Sequence, residues 1–274
     1  MNRPASLPDF DNPPVVEVAL SVQFERLSQL RSAHLGLFWR DLGVGFPRVE
    51  EHGPLDAAME QFPDIPQAPI FNLRVAPGIP TPRVWFLDAS GNELIQIQQD
   101  RFVHNWRKVG ERDQYPRYER IRSRFVDELQ SFERFLAEYD LGKLTPNQCE
   151  VTYVNHIELG EGWERFGQID NVLKMLQSPD YAFLPEPEDV RLGVRYVMED
   201  MANPIGRLYM SLEPRLTAES SRPILYLSLT ARGRPQSPDL DSALLFMDRG
   251  REWIVRGFAD ITTASMHAAW GRRE

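Results

Sequence analysis

The sequence predicts an α+β protein in which two similar halves build one curved antiparallel sheet, with long helices on one face. Three observations support this prediction: a segment of strict apolar–polar alternation near the N-terminus, two long segments with apolar residues three or four apart, and an order of elements that occurs twice. Strands joined by short turns pair antiparallel, and a helix with one apolar stripe covers one face of a sheet. We therefore expect the halves to form one compact unit.

The composition is that of a folded globular protein. Of 274 residues, 42% are apolar and 26% charged, the formal net charge is −9, and there is one cysteine. These values exclude collagen, coiled coils, mainly disordered chains and disulfide scaffolds. They name no reaction.

Residues 1–14 form an irregular arm with several prolines and no apolar segment typical of a secretory signal. The longest purely apolar runs elsewhere are about five residues, whereas a membrane-spanning helix needs about 20. Cys149 has no partner for an internal disulfide, which fits a reducing compartment. We therefore expect a cytoplasmic protein with no membrane partner.

The first predicted half covers residues 15–142. Val15 to Glu25 alternates with period two, which predicts a half-buried strand, and residues 28–42 read as an amphipathic helix. Residues 43–82 contain eight prolines and four glycines, so we expect a long connection laid over the body of the fold. A function or an extra edge strand would explain its length.

Two strands and a long helix complete this half. Residues 83–89 and 93–109 read as strands joined by a hairpin at Gly91-Asn92, and residues 115–139 as a helix that begins at Tyr115-Pro116. Within 93–109 the apolar face changes near Gln99 or Asp100. Either a bulge re-aims the side chains there, or the strand is covered on both faces.

The second predicted half, residues 143–274, repeats this order of elements. Glu150 and Glu158 echo the spacing of Glu17 and Glu25, so we expect an internal duplication. TATA-binding-protein-like and helix-grip architectures have this form, which assigns no function. The predicted elements are a strand at 147–159, a helix at 166–176, strands at 190–199, 207–213 and 224–232, and a helix at 240–261.

Four motifs carry a resemblance to a known family. They are Asn12-Pro13-Pro14 with Glu17-Val18; Asp100-Arg101-Phe102 with Asn105-Trp106-Arg107; Tyr115-Pro116-Arg117-Tyr118; and His267 with Trp270-Gly271-Arg272. From about residue 12 to 272 the chain resembles a sporadically distributed bacterial family to which no activity is attached. The resemblance implies a place in an accessory locus, related to phage defence or toxin–antitoxin pairs.

Residues 101–124 are the most unusual stretch, with eight basic side chains, three acidic ones and interleaved aromatics. Arginine binds phosphates and carboxylates bidentately, and aromatic rings accept unstacked bases, so the stretch predicts an anion-binding strip. Alternatively, the arginines pair with carboxylates of this chain and the aromatics are core. The candidate binding residues are Arg101, His104, Asn105, Trp106, Arg107, Arg117, Tyr118, Trp270 and Arg272. Trp270 either folds back onto the body, with a turn at Gly271, or serves binding.

Catalytic and metal motifs are missing from the sequence. Asp100 and His104, four residues apart on a strand, would be separated by about 13 Å, too far for an acid–base pair. Cys149 and His156 fall on opposite faces of one strand. The histidines have no metal-ligand spacing, and no phosphate-loop, dinucleotide or nucleophile-elbow motif is present. We therefore expect no metal and no cofactor.

Three functions remain open. The first is a non-catalytic binding protein of an accessory bacterial locus, with a protein partner or self-association. The second is a module for single-stranded RNA or DNA that uses the strip 101–124, although the acidic net charge disfavours it. The third is an enzyme with an unfamiliar site near Asp100, His104 and Asn105.

Overall fold

The computed structural model describes residues 7–63, 81–175, 182–185, 187–217 and 221–273. Within these ranges the chain forms eleven strands and four α-helices. In chain order they are β1 (Asp9–Phe10), β2 (Val15–Phe24), α1 (Ser32–Leu42), β3 (Arg48–His52), β4 (Arg83–Leu87), β5 (Glu93–Gln98), β6 (Arg101–Arg107), α2 (Tyr118–Glu138), β7 (Pro146–Glu158), β8 (Leu192–Asp200), β9 (Asn203–Leu216), β10 (Pro223–Gly233), α3 (Leu240–Ile261), α4 (Ala264–Ala269) and β11 (Arg272–Arg273).

Among the described residues, nine strands form one antiparallel sheet in the order β3-β4-β5-β6-β2-β7-β10-β9-β8. β2 and β7 are neighbours near its centre, and each pairs on its other side with the last strand of the meander that follows it. The mixed α+β class and the large antiparallel sheet are thereby confirmed. The duplication of two halves stays a prediction.

The helices α1, α2 and α3 pack on the same face of this sheet, which we call the helical face. The ring of Phe132 in α2 lies 5.6 Å from that of Phe102 in β6 and 5.2 Å from that of Phe38 in α1. A Cβ on Gly250 of α3 would lie 3.1 Å from the Ala231 side chain of β10, so glycine allows this helix to approach the sheet closely. The alternate side chains of β2 that point to the helical face are fully buried: Val18, Leu20, Val22 and Phe24.

The predicted strand 93–109 is two strands. β5 and β6 pair antiparallel through a turn at Gln99-Asp100, with Ile97 opposite Phe102 and Ile95 opposite His104. The apolar parity changes because the chain reverses direction, so the bulge and the single continuous strand are wrong. The expected cover on both faces is borne out, since every residue of β5 and residues 102–106 of β6 are buried. The hairpin between β4 and β5 is confirmed, with Gly91 at a φ of 80°.

The helix predicted at 166–176 is also wrong over its described part. A 3₁₀ turn occupies Ile169–Asn171, and Leu173 then forms a β-bridge with Thr262 just after α3. Lys174 and Thr263 add backbone hydrogen bonds to Ile261 and Val172. This tertiary pairing with the end of α3 takes the backbone groups that a helix would need, while Val172 and Leu173 remain buried.

The C-terminal segment folds back onto the body. Trp270 is 3% exposed and its ring lies 5.1 Å from that of Phe258 in α3. Gly271, at a φ of 65°, makes the turn, and β11 pairs antiparallel with β1. Within the described residues, no helix combines the length and apolar character needed to cross a bilayer.

The described parts of the long connection lie against the sheet. β3 is one of the two edge strands of the described sheet, which agrees with one of the two explanations for the length of this segment. Residues 53–63 then cross the face opposite the helices, while residues 64–80 lie outside the described residues.

Candidate binding face

The residues singled out from the sequence do not meet at one place. Arg101, Asn105 and Arg107 lie on the side of β6 that faces away from the helices, and this side of the sheet is here called the polar face. His104 and Trp106 alternate with them and lie on the helical face. The remaining four are at the start of α2 and in the C-terminal segment: Arg117, Tyr118, Trp270 and Arg272.

His104 is fully buried between two carboxylates on the helical face. Its Nδ1 lies 2.7 Å from Glu128 of α2, and its Nε2 lies 2.9 Å from Glu93 of β5. Burial alone would lower the pKa of this imidazole, but the two carboxylates outweigh it and raise the pKa to about 9. His104 is therefore a buried cation that ties α2 to the sheet.

Residues at the start of α2 contact this chain's own acids. Arg117 donates to the carboxylate of Asp9 at 2.9 Å, and the side chains of Tyr118 and Arg122 both donate to Asp248 at 2.8 and 2.7 Å. These contacts agree with the alternative in which the arginines of the strip pair internally.

The two tryptophan candidates are packed, and the C-terminal arginine contacts a histidine. Trp106 is buried beside Tyr115, with ring centres 5.6 Å apart. Arg272 Nη1 lies 2.9 Å from Nδ1 of His267, and burial together with this guanidinium lowers the pKa of that imidazole. Trp270 and Arg272 thus belong to the packing between the chain ends and α3.

The members of β6 on the polar face form part of a hydrogen-bonded layer. The Asn105 amide donates to Glu17 at 2.6 Å and accepts from Gln96 at 2.7 Å. Burial raises the pKa of Glu17, although the hydrogen bond from Asn105 and the positive charge of Arg107 act to lower it. The Nε of Arg107 itself donates to the carbonyl of Gly91.

The centre of the polar face is a floor of small side chains. Thr152 of β7 and Thr230 of β10 share a hydrogen bond of 2.9 Å. Ala19 pairs with Thr152, Thr152 with Thr230, and Ser228 with Ser211. The members of the floor, from β2, β7, β10 and β9, are Ala19, Ser21, Thr152, Ser228, Thr230 and Ser211. Most are half-buried, and small side chains let a bound backbone come close to a sheet.

One end of this floor is crossed by an extended segment, residues 55–62, which we call the strap. Three buried glutamines, Gln98, Gln23 and Gln148, hold its backbone at positions 55, 58 and 60. Gln98 forms a pair of bonds with Leu55, accepting from the backbone N–H at 2.9 Å and donating to the C=O at 3.0 Å. The strap is therefore held through its main chain by side chains of the sheet.

Arg101 adds another main-chain contact. Its Nη2 donates to the carbonyl of Asp56 at 3.0 Å and to the side chain of Gln23 at 2.8 Å. This arginine of the basic strip thus helps to position the strap on the polar face.

The Glu60 carboxylate occupies an anion pocket at the far end of the strap. Arg207 Nη1 and the Tyr209 hydroxyl each donate to it at 2.5 Å, and Arg232 Nη1 lies 3.8 Å away. Glu60 and Arg207 are both 5% exposed. The Arg207 guanidinium also lies 4.0 Å from the centre of the Phe62 ring, a cation–π contact.

Sequence reasoning missed most of the residues that hold the strap. Gln23 and Gln148 were visible only as polar members of alternating strands, and nothing local distinguished them from solvated side chains. What the sequence does not show is the register of the strands. In the sheet, four residues from β5, β6, β2 and β7 are successive partners in one row: Gln98, Arg101, Gln23 and Gln148. Such a row becomes visible only when the strand order is known.

The catalytic candidates stay apart in the structure. The carboxylate of Asp100, at the β5–β6 turn, accepts from the Gln98 amide, whereas His104 faces Glu93 and Glu128. Cys149 is buried on the helical face, and burial raises the pKa of its thiol to about 12. In the described ranges, no group of three or more His, Cys, Asp or Glu residues is placed to hold a metal ion.

No family model matches this chain, and no curated protein is significantly similar to it. The likeness to a sporadic bacterial family therefore stays a resemblance of motifs.

Proposed function

We propose that this chain is a non-catalytic binding protein whose polar face holds an extended segment of a polypeptide partner. The observation that carries the proposal is the set of buried glutamine side chains bonded to the backbone of the strap. Main-chain hydrogen bonds give affinity for extended chains of varied sequence, because every residue offers the same N–H and C=O groups.

The amide chemistry favours a polypeptide over a nucleic acid. Gln98 uses both its acceptor and its donor on one residue, Leu55, and each residue of an extended chain presents its own N–H and C=O in this way. A phosphate backbone offers acceptors only. The arginines of the basic strip near α2 are moreover bonded to Asp9 and Asp248.

The two other candidate functions, a nucleic-acid module and an enzyme, predict different observations. A module for single-stranded RNA or DNA would lose affinity steeply with salt and depend on Arg107 and Arg117. An enzyme would need a reacting group near Asp100, where the structure places a hydrogen-bonded turn. A place in an accessory bacterial locus rests on the motif resemblance alone and is part of the proposal.

A bulky charge on the floor should weaken peptide binding. We expect peptides selected from a random 12-residue display library on the wild-type protein to bind with a Kd on the order of micromolar. Ala19→Arg fills the half-buried floor at β2 and should weaken them at least tenfold in fluorescence anisotropy. Ala137→Arg on the exposed side of α2 is the matched control and should stay within twofold.

Two results would reject this function. One is a library that yields no binder, or binders equally tolerant of Ala19→Arg and Ala137→Arg, provided that circular dichroism shows both variants folded. The other is salt-sensitive binding of a single-stranded oligonucleotide that Ala19→Arg abolishes while no peptide binds, which would assign the face to nucleic acid.

A further inference from the structure

We propose that the strap is an internal competitor, occupying the place of a partner segment that carries an acidic residue followed two positions later by an aromatic ring. This inference rests on the proposed function and specifies the partner's chemistry. The strap itself shows that chemistry with Glu60 and Phe62, both in contact with Arg207.

The acidic position follows from the anion pocket. Arg207 is almost completely buried under the strap, and its guanidinium, the Tyr209 hydroxyl and Arg232 surround one carboxylate. A partner with a neutral side chain at this place would cover Arg207 without supplying the carboxylate that Glu60 now provides, which is costly. The pocket therefore selects a carboxylate.

The aromatic position follows from the spacing. Residues i and i+2 of an extended chain point to the same side, so a carboxylate and a ring two residues apart can both meet one guanidinium. The ring centre of Phe62 lies 4.0 Å from the guanidinium carbon of Arg207, while Arg207 Nη2 bonds to the carbonyl of Gln61 between them at 2.8 Å. The three contacts form one recognition unit.

The strap is suited to being displaced because few of its apolar side chains are buried. Leu55, Met59 and Phe62 are 39%, 40% and 37% exposed. Its attachment is mainly polar, and water or a second peptide can replace polar contacts. Residues 55–62 also lie outside the regular strands, so their release leaves the sheet paired.

The test uses a fluorescent peptide with the sequence of residues 53–63 and the full-length protein. Glu60→Ala combined with Phe62→Ala weakens the strap, and we expect this double variant to bind the peptide at least tenfold more tightly than wild type. Phe183→Ala with Glu188→Ala, both exposed, is the matched control and should bind like wild type. Peptides with Gln for the glutamate or Ala for the phenylalanine should each bind the double variant at least tenfold more weakly.

The outcomes separate the two proposals. Equal peptide binding by wild type and the double variant would overturn the competitor role, and equal binding of the substituted peptides would overturn the acidic–aromatic signature. Either result leaves the library experiment, and with it the proposed function, untouched. Failure of all peptides in both experiments would reject both.

A second measurement applies if the double variant does not fold. In ¹⁵N-labelled wild-type protein, excess unlabelled peptide should accelerate hydrogen exchange of the backbone N–H groups at Leu55, Ala58 and Glu60, which the glutamines now protect. Unchanged exchange at saturating peptide would overturn the competitor role.

Discussion

The free energy of unfolding should fall by about 3 kcal/mol between pH 6.5 and pH 9 through the deprotonation of His104 alone. In the folded protein Glu93 and Glu128 raise the pKa of this imidazole to about 9, from an unfolded value near 6.5. A pKa raised by folding gives stability that is complete below the unfolded pKa and is lost as the pH rises through the folded one. Urea unfolding at steps across this range measures the slope.

Two glutamine variants separate His104 from other titrating groups. His104→Gln should destabilise the protein by about 3 kcal/mol at pH 6.5, because the buried Glu93 and the half-buried Glu128 lose the cation between them, and should show no loss of this kind toward pH 9. His156→Gln should keep the wild-type slope, since burial lowers the pKa of His156 and places its titration below this range. A His104→Gln slope equal to that of wild type would contradict the assignment.

Truncation of Phe132 should cost about 4 kcal/mol of unfolding free energy. Its fully buried ring lies 5.2 to 6.5 Å from the rings of Phe38, Phe102, Phe135 and Phe24, so alanine leaves a cavity where α1, α2 and the sheet meet. Denaturant unfolding of Phe132→Ala at constant pH checks the value.

Phe183 supplies the matched control for this cavity. It is 92% exposed, so Phe183→Ala should change the unfolding free energy by less than about 0.5 kcal/mol. Similar losses for both variants would mean that Phe132 does not connect the helices to the sheet.

Periodicity predicted the elements that depend on local pattern. The alternation of Val15 to Glu25 gave β2, Val15–Phe24, and the apolar stripe of the last helix gave α3, Leu240–Ile261, with the predicted bounds. The helix predicted from Tyr115 begins at Tyr118, because Arg117 has a φ of 73° that a helix does not allow. In such elements one face is buried, so the apolar residues recur with the period of the helix or strand.

The prediction failed where distant parts of the chain decide the conformation. Leu173 pairs with Thr262 instead of continuing a helix, and the 93–109 pattern hid a reversal at Gln99-Asp100. The strap depends on Gln148, whose side chain accepts a hydrogen bond from the backbone N–H of Glu60, 88 residues away in the sequence. A hydrogen bond between a side chain and a backbone group so far apart in the sequence produces no periodic pattern of apolar residues.

The strap has a consequence for the order of assembly. Its bonds join Leu55 to Gln98, 43 residues away, and Glu60 to Arg207, 147 residues away. These partners come into line only after strands from both ends of the chain have met, since closing such long loops is entropically costly until other contacts form. We therefore expect the strap to bind to the sheet last during refolding and to detach from it first under mild denaturant.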